Sequence, residues 1–252
     1  MITNDTYFSP ENNMKYMSAS QFKSFMACEA AALAELRGEY TRDNTTALLV
    51  GSYVDAYFEG SLERFRSKNP ELFTRQGKLK SDYQHAEYII ERISRDKLFM
   101  KYMNGEKQVI KVGEIEGVPF KIKIDSYHPG KAIVDLKIMK DFSPIYMEGQ
   151  GRLNFIEAWG YDIQGAVYQA IEGHDLPFFI AVATKEREPD MAVISIPQPY
   201  LDTAMEIVRA NVNRFSDLKK GVGEPIRCEK CDYCKRTKVL DRVITMEDLD
   251  ND

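Results

Sequence analysis

At 252 residues with 44% hydrophobic content the chain can bury a sizeable core, and 11 methionines, 13 phenylalanines and 14 tyrosines supply the packing volume. A net charge of −5 and a pI near 5.4 argue against a surface that coats nucleic acid indiscriminately, though not against a local basic channel. No stretch approaches transmembrane length, and the start, Met1-Ile-Thr-Asn-Asp-Thr-Tyr, lacks the basic and apolar regions of a signal peptide, so the cytoplasm, where thiols stay reduced, is the expected location.

In chain order, residues 1–16 are polar and read as a loose segment. Ser18 or Ser20 can cap a helix that reaches Cys28. A second helix is expected over 46–59; its run 47–58 is apolar almost throughout and carries one carboxylate, Asp55. An acid in such a run is costly to bury unless it is paired or holds a metal, and Lys121 or Arg64 would be an ordinary partner. Asn-Pro and Gln-Gly turn signals make 68–80 a loop, and Tyr88, Ile89, Ile93 and Leu98 give helical periodicity over 80–101.

Three strands follow, over 108–114, 118–126 and 132–138, the last two joined by a turn at His128-Pro129-Gly130. Asp125 and Asp135 fall at the ends of these neighbours, and Asp135 and Lys137, two apart, leave one face. Two acids can hold a hard divalent cation and the lysine can orient a water or neutralise a phosphate, the needs of phosphodiester hydrolysis. A solvated salt bridge is the ordinary alternative for a D-x-K triplet. A helix over 155–172 places Gln164 and Tyr168 on one face, either as a half-buried surface or where amide and phenol reach phosphates or the lysine. Strands over 178–184 and 191–196 and an amphipathic helix over 200–215 complete one α/β domain spanning 1–252.

The four cysteines are Cys28, Cys228, Cys231 and Cys234. Two-residue gaps let the last three converge on one metal centre and suit mutual disulfides poorly, with Cys28 the candidate fourth ligand. Four reduced thiols without metal are the plain alternative. Lys219, Lys220, Arg227, Lys230, Lys235, Arg236 and Lys238 cluster nearby in sequence, and an acidic tail is expected over 241–252.

Taken in order, the G-x-x-x-D of Gly51 to Asp55, the lone Asp125, the D-x-K of Asp135 to Lys137 and the Q-x-x-x-Y of Gln164 to Tyr168 resemble the PD-(D/E)XK nuclease superfamily. The branch is that of exodeoxyribonuclease VIII, phage recombination exonucleases and the nuclease domains of bacterial recombination helicase-nucleases. The resemblance runs from about Met17 to about Leu240. That branch normally has G-x-x-x-H, with the histidine as a metal ligand; Asp55 departs from the pattern while remaining a good oxygen ligand for Mg²⁺ or Mn²⁺.

The resemblance implies an α/β, restriction-endonuclease-like (PD-(D/E)XK) core with a mixed central sheet flanked by helices. It implies one or two Mg²⁺ or Mn²⁺ ions on Asp55, Asp125, Asp135 and the backbone carbonyl of Leu136, with Lys137 serving the attacking water and Gln164 and Tyr168 steadying Lys137 and the DNA. The implied activity is 5′ to 3′ exonuclease action on linear double-stranded DNA ends. The overhangs would serve phage-type recombination by strand annealing. A ring-like homo-oligomer, trimer or tetramer, and a single-strand annealing protein are the implied partners. The one-plus-three cysteines look like the iron-sulfur staple of related recombination and CRISPR-associated nucleases, with tighter C-terminal spacing, so a 4Fe-4S cluster or zinc is expected there. Competing readings are an idle DNA-binding or assembly module with a structural zinc site, and an endonuclease or CRISPR-adaptation nuclease of the same fold.

Overall fold

The computed structural model describes residues 2–43, 45–240, 242–243 and 245–246; most of the expected acidic tail lies outside the described residues. Helices α1 (Pro10–Lys15), α2 (Ala19–Ala27), α3 (Glu29–Leu36), α4 (Thr46–Glu59), α5 (Leu62–Lys68), α6 (Ser81–Ser94) and α7 (Lys97–Met103) precede strands β1 (Glu106–Ile115), β2 (Val118–His128) and β3 (Ala132–Met139). A short hairpin of β4 (Ile145–Met147) and β5 (Gly151–Leu153) leads to α8 (Phe155–Ala158) and α9 (Tyr161–Glu172). The chain closes with β6 (Phe178–Thr184), β7 (Met191–Ser195), α10 (Gln198–Lys219) and α11 (Asp232–Arg236).

The main sheet runs β1-β2-β3-β6-β7, with β3 and β6 parallel and every other pair antiparallel. A parallel pair needs a crossover, and α8 with α9 supplies it. Alternation along the strands divides the core into two layers. Phe120, Ile122, Ile124, Ile133 and Ile180 pack with Phe22 and Phe25 of α2, Val167 of α9 and Val208 of α10. Val134, Leu136, Ala181 and Ala183 pack on the other side with Tyr53 and Val54 of α4, Ile89 of α6 and Phe99 of α7. Because both faces are covered, the inner strands read as continuous apolar runs.

Four expectations need correction. The single helix over 80–101 is two, because Asp96 accepts the Phe99 N–H at 2.9 Å and starts α7. The helix over 155–172 is likewise divided by Gly160 at φ +60, a conformation that side-chain-bearing residues avoid. Cys28 sits in extended backbone between α2 and α3 rather than inside a helix.

Residues 1–16 are not loose. Ser9 caps α1, Tyr7 is buried, and Lys121 Nζ reaches the Tyr7 carbonyl and Asn13 Oδ1. Lys219 Nζ donates to the Asn13 and Tyr16 carbonyls, both at 2.8 Å. Burial pushes both lysines down to about 8, Lys121 adding to the effect on Lys219, so carbonyl dipoles rather than carboxylates hold this segment down.

Candidate active site and thiol cluster

β2 and β3 are paired over only three positions, Ser126 with Val134, Tyr127 with Ile133 and His128 with Ala132. One step further Asp125 stands opposite Asp135, and the strands part. The Asp125 carboxylate then takes the place of the ladder: Oδ2 accepts the Leu136 N–H at 2.9 Å and Oδ1 accepts Gln108 Nε2 at 3.2 Å. Gln108 is held at φ +53, an uncommon conformation for a residue with a side chain. N–H and C=O of one strand residue leave by the same edge, so the Leu136 carbonyl turns toward this gap as well.

Asp135, only 2% exposed, accepts Gln164 Nε2 at 2.6 Å and is ion-paired through Oδ2 with Lys137. Gln164 thus reaches Asp135 and acts on Lys137 through it. The Tyr168 hydroxyl donates to the Lys123 carbonyl at 2.9 Å, which anchors α9 to β2 on the wall of the cleft that Lys137 also lines. Asp55 enters from α4 and lines the same cleft, of about 490 Å³. Neither ordinary partner reaches it: Lys121 is bound to Tyr7 and Asn13, and Arg64 pairs with Asp5 at 2.6 Å. Among the described residues Asp55 Oδ1 is buried without a hydrogen-bond donor.

The electrostatics follow from acids and lysines crowded into one desolvated cleft. Burial, then Asp125, pushes the Asp55 carboxyl well above the usual carboxylate range. Burial and Asp135 push Asp125 up to about 7. Burial works to lower Lys137, but Asp135 and Asp125 outweigh it and hold the ammonium above the ordinary lysine range. An orphaned carboxylate oxygen in one cleft with two further acids has the donor chemistry of a hard-cation site, and oxygen donors suit Mg²⁺ or Mn²⁺.

The model of a family described as a PDDEXK-like domain of unknown function, DUF3799, matches residues 18–237. The chain belongs to this family. It is also similar to a crystal structure of a "Putative exonuclease" from Eubacterium rectale, at 48% identity and a TM-score of 0.94 over 99% of this chain and 98% of that one. The crystal structure of SSO0001 is only 15% identical, with a TM-score of 0.29 over 77% of this chain and 84% of that one. No curated protein matches the sequence. The five-stranded mixed sheet between two helical layers is the PDDEXK-like architecture that the motif order implies.

Within this PDDEXK-like frame, several cleft residues have no sequence signature. Lys23 of α2 donates to the Trp159 carbonyl at 3.1 Å and lies over the Tyr161 ring, 5.1 Å from its centroid; burial and Lys137 push it down to about 8. Glu59 sits 3.7 Å from Lys123 on the cleft wall. A lone lysine on a helix reads as solvated, and Gln108 supports Asp125 from the facing position of β1, where the β1–β2 pairing is interrupted and the backbone is held at φ +53, a feature that no periodicity reveals.

The cysteines meet although Cys28 and Cys228 are far apart in sequence. All four Sγ atoms lie within 4.8 Å of one another, with Cys28 and Cys234 at 3.6 Å and Cys228 and Cys234 at 4.0 Å, and all are free thiols. Backbone N–H groups of Cys231 and Cys234 point at Cys228 Sγ and Cys231 Sγ, at 3.3 and 3.5 Å. Much of the neighbouring positive charge is engaged within the fold: Arg227 binds Glu229, Thr237 and the Cys234 carbonyl, Lys230 pairs with Glu148, and Lys219 turns inward. Among the described residues no helix is long and apolar enough to cross a membrane.

Proposed function

We propose that this chain is a metal-dependent DNA exonuclease acting on linear double-stranded DNA. The observation that carries the reading is the meeting of Asp125, Asp135 and Lys137 where β2 and β3 part, with the orphaned Asp55 oxygen in the same cleft. The description of the similar Eubacterium rectale protein supports it.

Asp55, Asp125, Asp135 and the Leu136 carbonyl would hold Mg²⁺ or Mn²⁺. When bound, such a cation lowers the pKa of a water and stabilises charge on the phosphate. The chain supplies the positioning. Gln164 fixes the Asp135 carboxylate, while Gln108 and the Leu136 N–H fix Asp125. Lys137 presents its ammonium to the attacking water or a phosphate oxygen, and Lys23 offers a second cation on the cleft wall.

The family resemblance supports the finer parts of the proposal. These are 5′ to 3′ digestion leaving overhangs for phage-type recombination, a ring-like trimer or tetramer, a single-strand annealing partner, and action in the cytoplasm. The test uses linear duplexes labelled at the 5′ or the 3′ end, incubated with Mg²⁺ beside a closed circle. Early release of the 5′ label with an intact circle is expected. Cutting of the circle would replace exonuclease by endonuclease, and an absence of Mg²⁺-dependent loss from either duplex would overturn the assignment.

A further inference from the structure

The thiol cluster discriminates between two centres. Four thiolates around one tetrahedral ion, with metal-sulfur distances of about 2.3 Å, stand about 3.8 Å apart. A 4Fe-4S cube gives each thiolate its own iron, which sets the sulfurs on the order of 6 Å apart. Here every pair lies within 4.8 Å and two are at 3.6 and 4.0 Å, so the spacing fits the single ion and does not fit the cube.

The walls of the site are fixed independently of the thiols. Glu29, next to Cys28, receives Arg214 Nε at 2.6 Å, Arg214 Nη2 at 2.7 Å and the Ile226 N–H at 2.7 Å, which fastens α3 to α10 and to the segment entering the cysteines. Glu229, inside the Cys228 to Cys231 turn, holds φ +57, strain that persists only where the surroundings dictate it. The N–H groups aimed at two of the sulfurs are suited to disperse thiolate charge. We propose that Cys28, Cys228, Cys231 and Cys234 bind one Zn²⁺ as a structural tetrathiolate that clasps the C-terminal segment onto the corner between α2 and α3.

Protein purified without added metal tests this by elemental analysis and by exchange into Co²⁺. One zinc per chain, negligible iron and, after exchange, the visible bands of tetrahedral cobalt thiolate are expected. The bands should vanish in Cys231→Ser and persist in Asp135→Asn. If Cys231→Ser does not fold, the wild-type metal count and cobalt spectrum still decide. Stoichiometric iron with acid-labile sulfide, or a wild-type protein that carries no metal and gives no cobalt thiolate bands, overturns the proposal.

A second inference comes from the N-terminal wall and rests on the nuclease reading. Tyr7 and Phe8 are adjacent and both line the cleft, yet Tyr7 is 5% exposed and Phe8 66%. Their rings meet edge-on at 4.9 Å, over a segment pinned by Lys121 and Lys219, so Phe8 is held outward on a fixed support. Lys123 Nζ lies 5.2 Å from the Phe8 centroid. A ring that stays largely exposed with a cation lying over it, itself 3.7 Å from Glu59, offers a single strand a stacking surface for a base and a charge near its phosphate. We infer that Phe8 stacks on an unpaired base of the bound DNA strand next to the reacting phosphate.

The test places 2-aminopurine at the end of a single-stranded oligonucleotide and uses the Asp135→Asn background to prevent digestion. Stacking should quench the probe; Phe8→Ala should remove the quenching and weaken binding roughly tenfold, and Phe8→Trp should restore both. Unchanged quenching and affinity in Phe8→Ala, with Mg²⁺-dependent digestion intact in the wild type, overturns stacking alone. Wild-type protein that neither binds nor digests DNA overturns the nuclease reading with it. Dissociation of an oligomer by Phe8→Ala without loss of quenching would assign the ring to contacts between copies and also overturn the inference.

Discussion

In the cleft, Asp125 and Asp135 come from adjacent strands and Asp55 from a helix, and protein donors hold two of the three. In the thiol cluster the ligands come from the two ends of the fold and close to within 4.8 Å of one another. The difference matches the two roles proposed for them. A catalytic centre needs open coordination and rigid support, which diverging strands provide; a structural centre needs closure, and joining residues 28 and 228 removes much of the unfolded chain's freedom. Substitutions at the two places should therefore have opposite signatures, turnover without stability in one case and stability without turnover in the other.

The largest effect is expected in the cleft. Asp135→Asn removes a carboxylate proposed to hold the cation and should lower the rate of duplex digestion by about a thousandfold or more, with a melting temperature close to wild type. Rates on a labelled linear duplex, with circular dichroism melts in parallel, check it. Lys137→Ala comes next: about a hundredfold loss of turnover with Mn²⁺ affinity retained by calorimetric titration, as expected if the ammonium serves the water or phosphate rather than the ion. A parallel loss of metal affinity would assign Lys137 to the organisation of Asp135 instead.

The cleft was largely legible in the sequence because each of its motifs is local. A D-x-K triplet fixes its own face of a strand, and residues four apart share a helix face. What supports those residues was not legible. Gln108, Lys23 and the pinned Tyr7 act across the fold, and the N-terminal segment read as loose because Lys121 and Lys219 fasten it through carbonyls, for which sequence offers no pattern. The convergence of the thiols was legible from spacing, whereas the ion they fit depends on distances that appear only in three dimensions. Helix boundaries failed at Asp96 and Gly160, where one cap and one positive φ override continuous apolar periodicity.

Cys231→Ser sharpens the other side of the comparison. Loss of the clasp should lower the melting temperature by roughly 5–10 °C while digestion measured well below that temperature continues.

The smallest effect is expected at Glu172, which belongs to neither centre but ties the end of α9 to the sheet. Burial raises its pKa, yet Lys111 at 2.9 Å and Tyr127 at 2.7 Å outweigh burial, with His174 beside them at 3.4 Å, and hold the carboxyl below the usual range. A depressed folded pKa contributes stability above the unfolded value, near 4.3, and that stability is lost as pH falls through the folded one. Glu172→Gln should cost about 2 kcal/mol at neutral pH, and the gap to wild type should narrow in acid. Urea melts at pH 7 and pH 3.5 test this; a constant gap would contradict it.

The most direct test of the central claim sets wild type beside Asp135→Asn on one linear duplex, with Mg²⁺ and with a chelator. Rapid digestion by wild type with Mg²⁺ alone, and none by a folded Asp135→Asn, is the predicted result. Digestion by Asp135→Asn at the wild-type rate, or none by wild type with Mg²⁺, would contradict the assignment of the cleft between β2 and β3 as a nuclease centre.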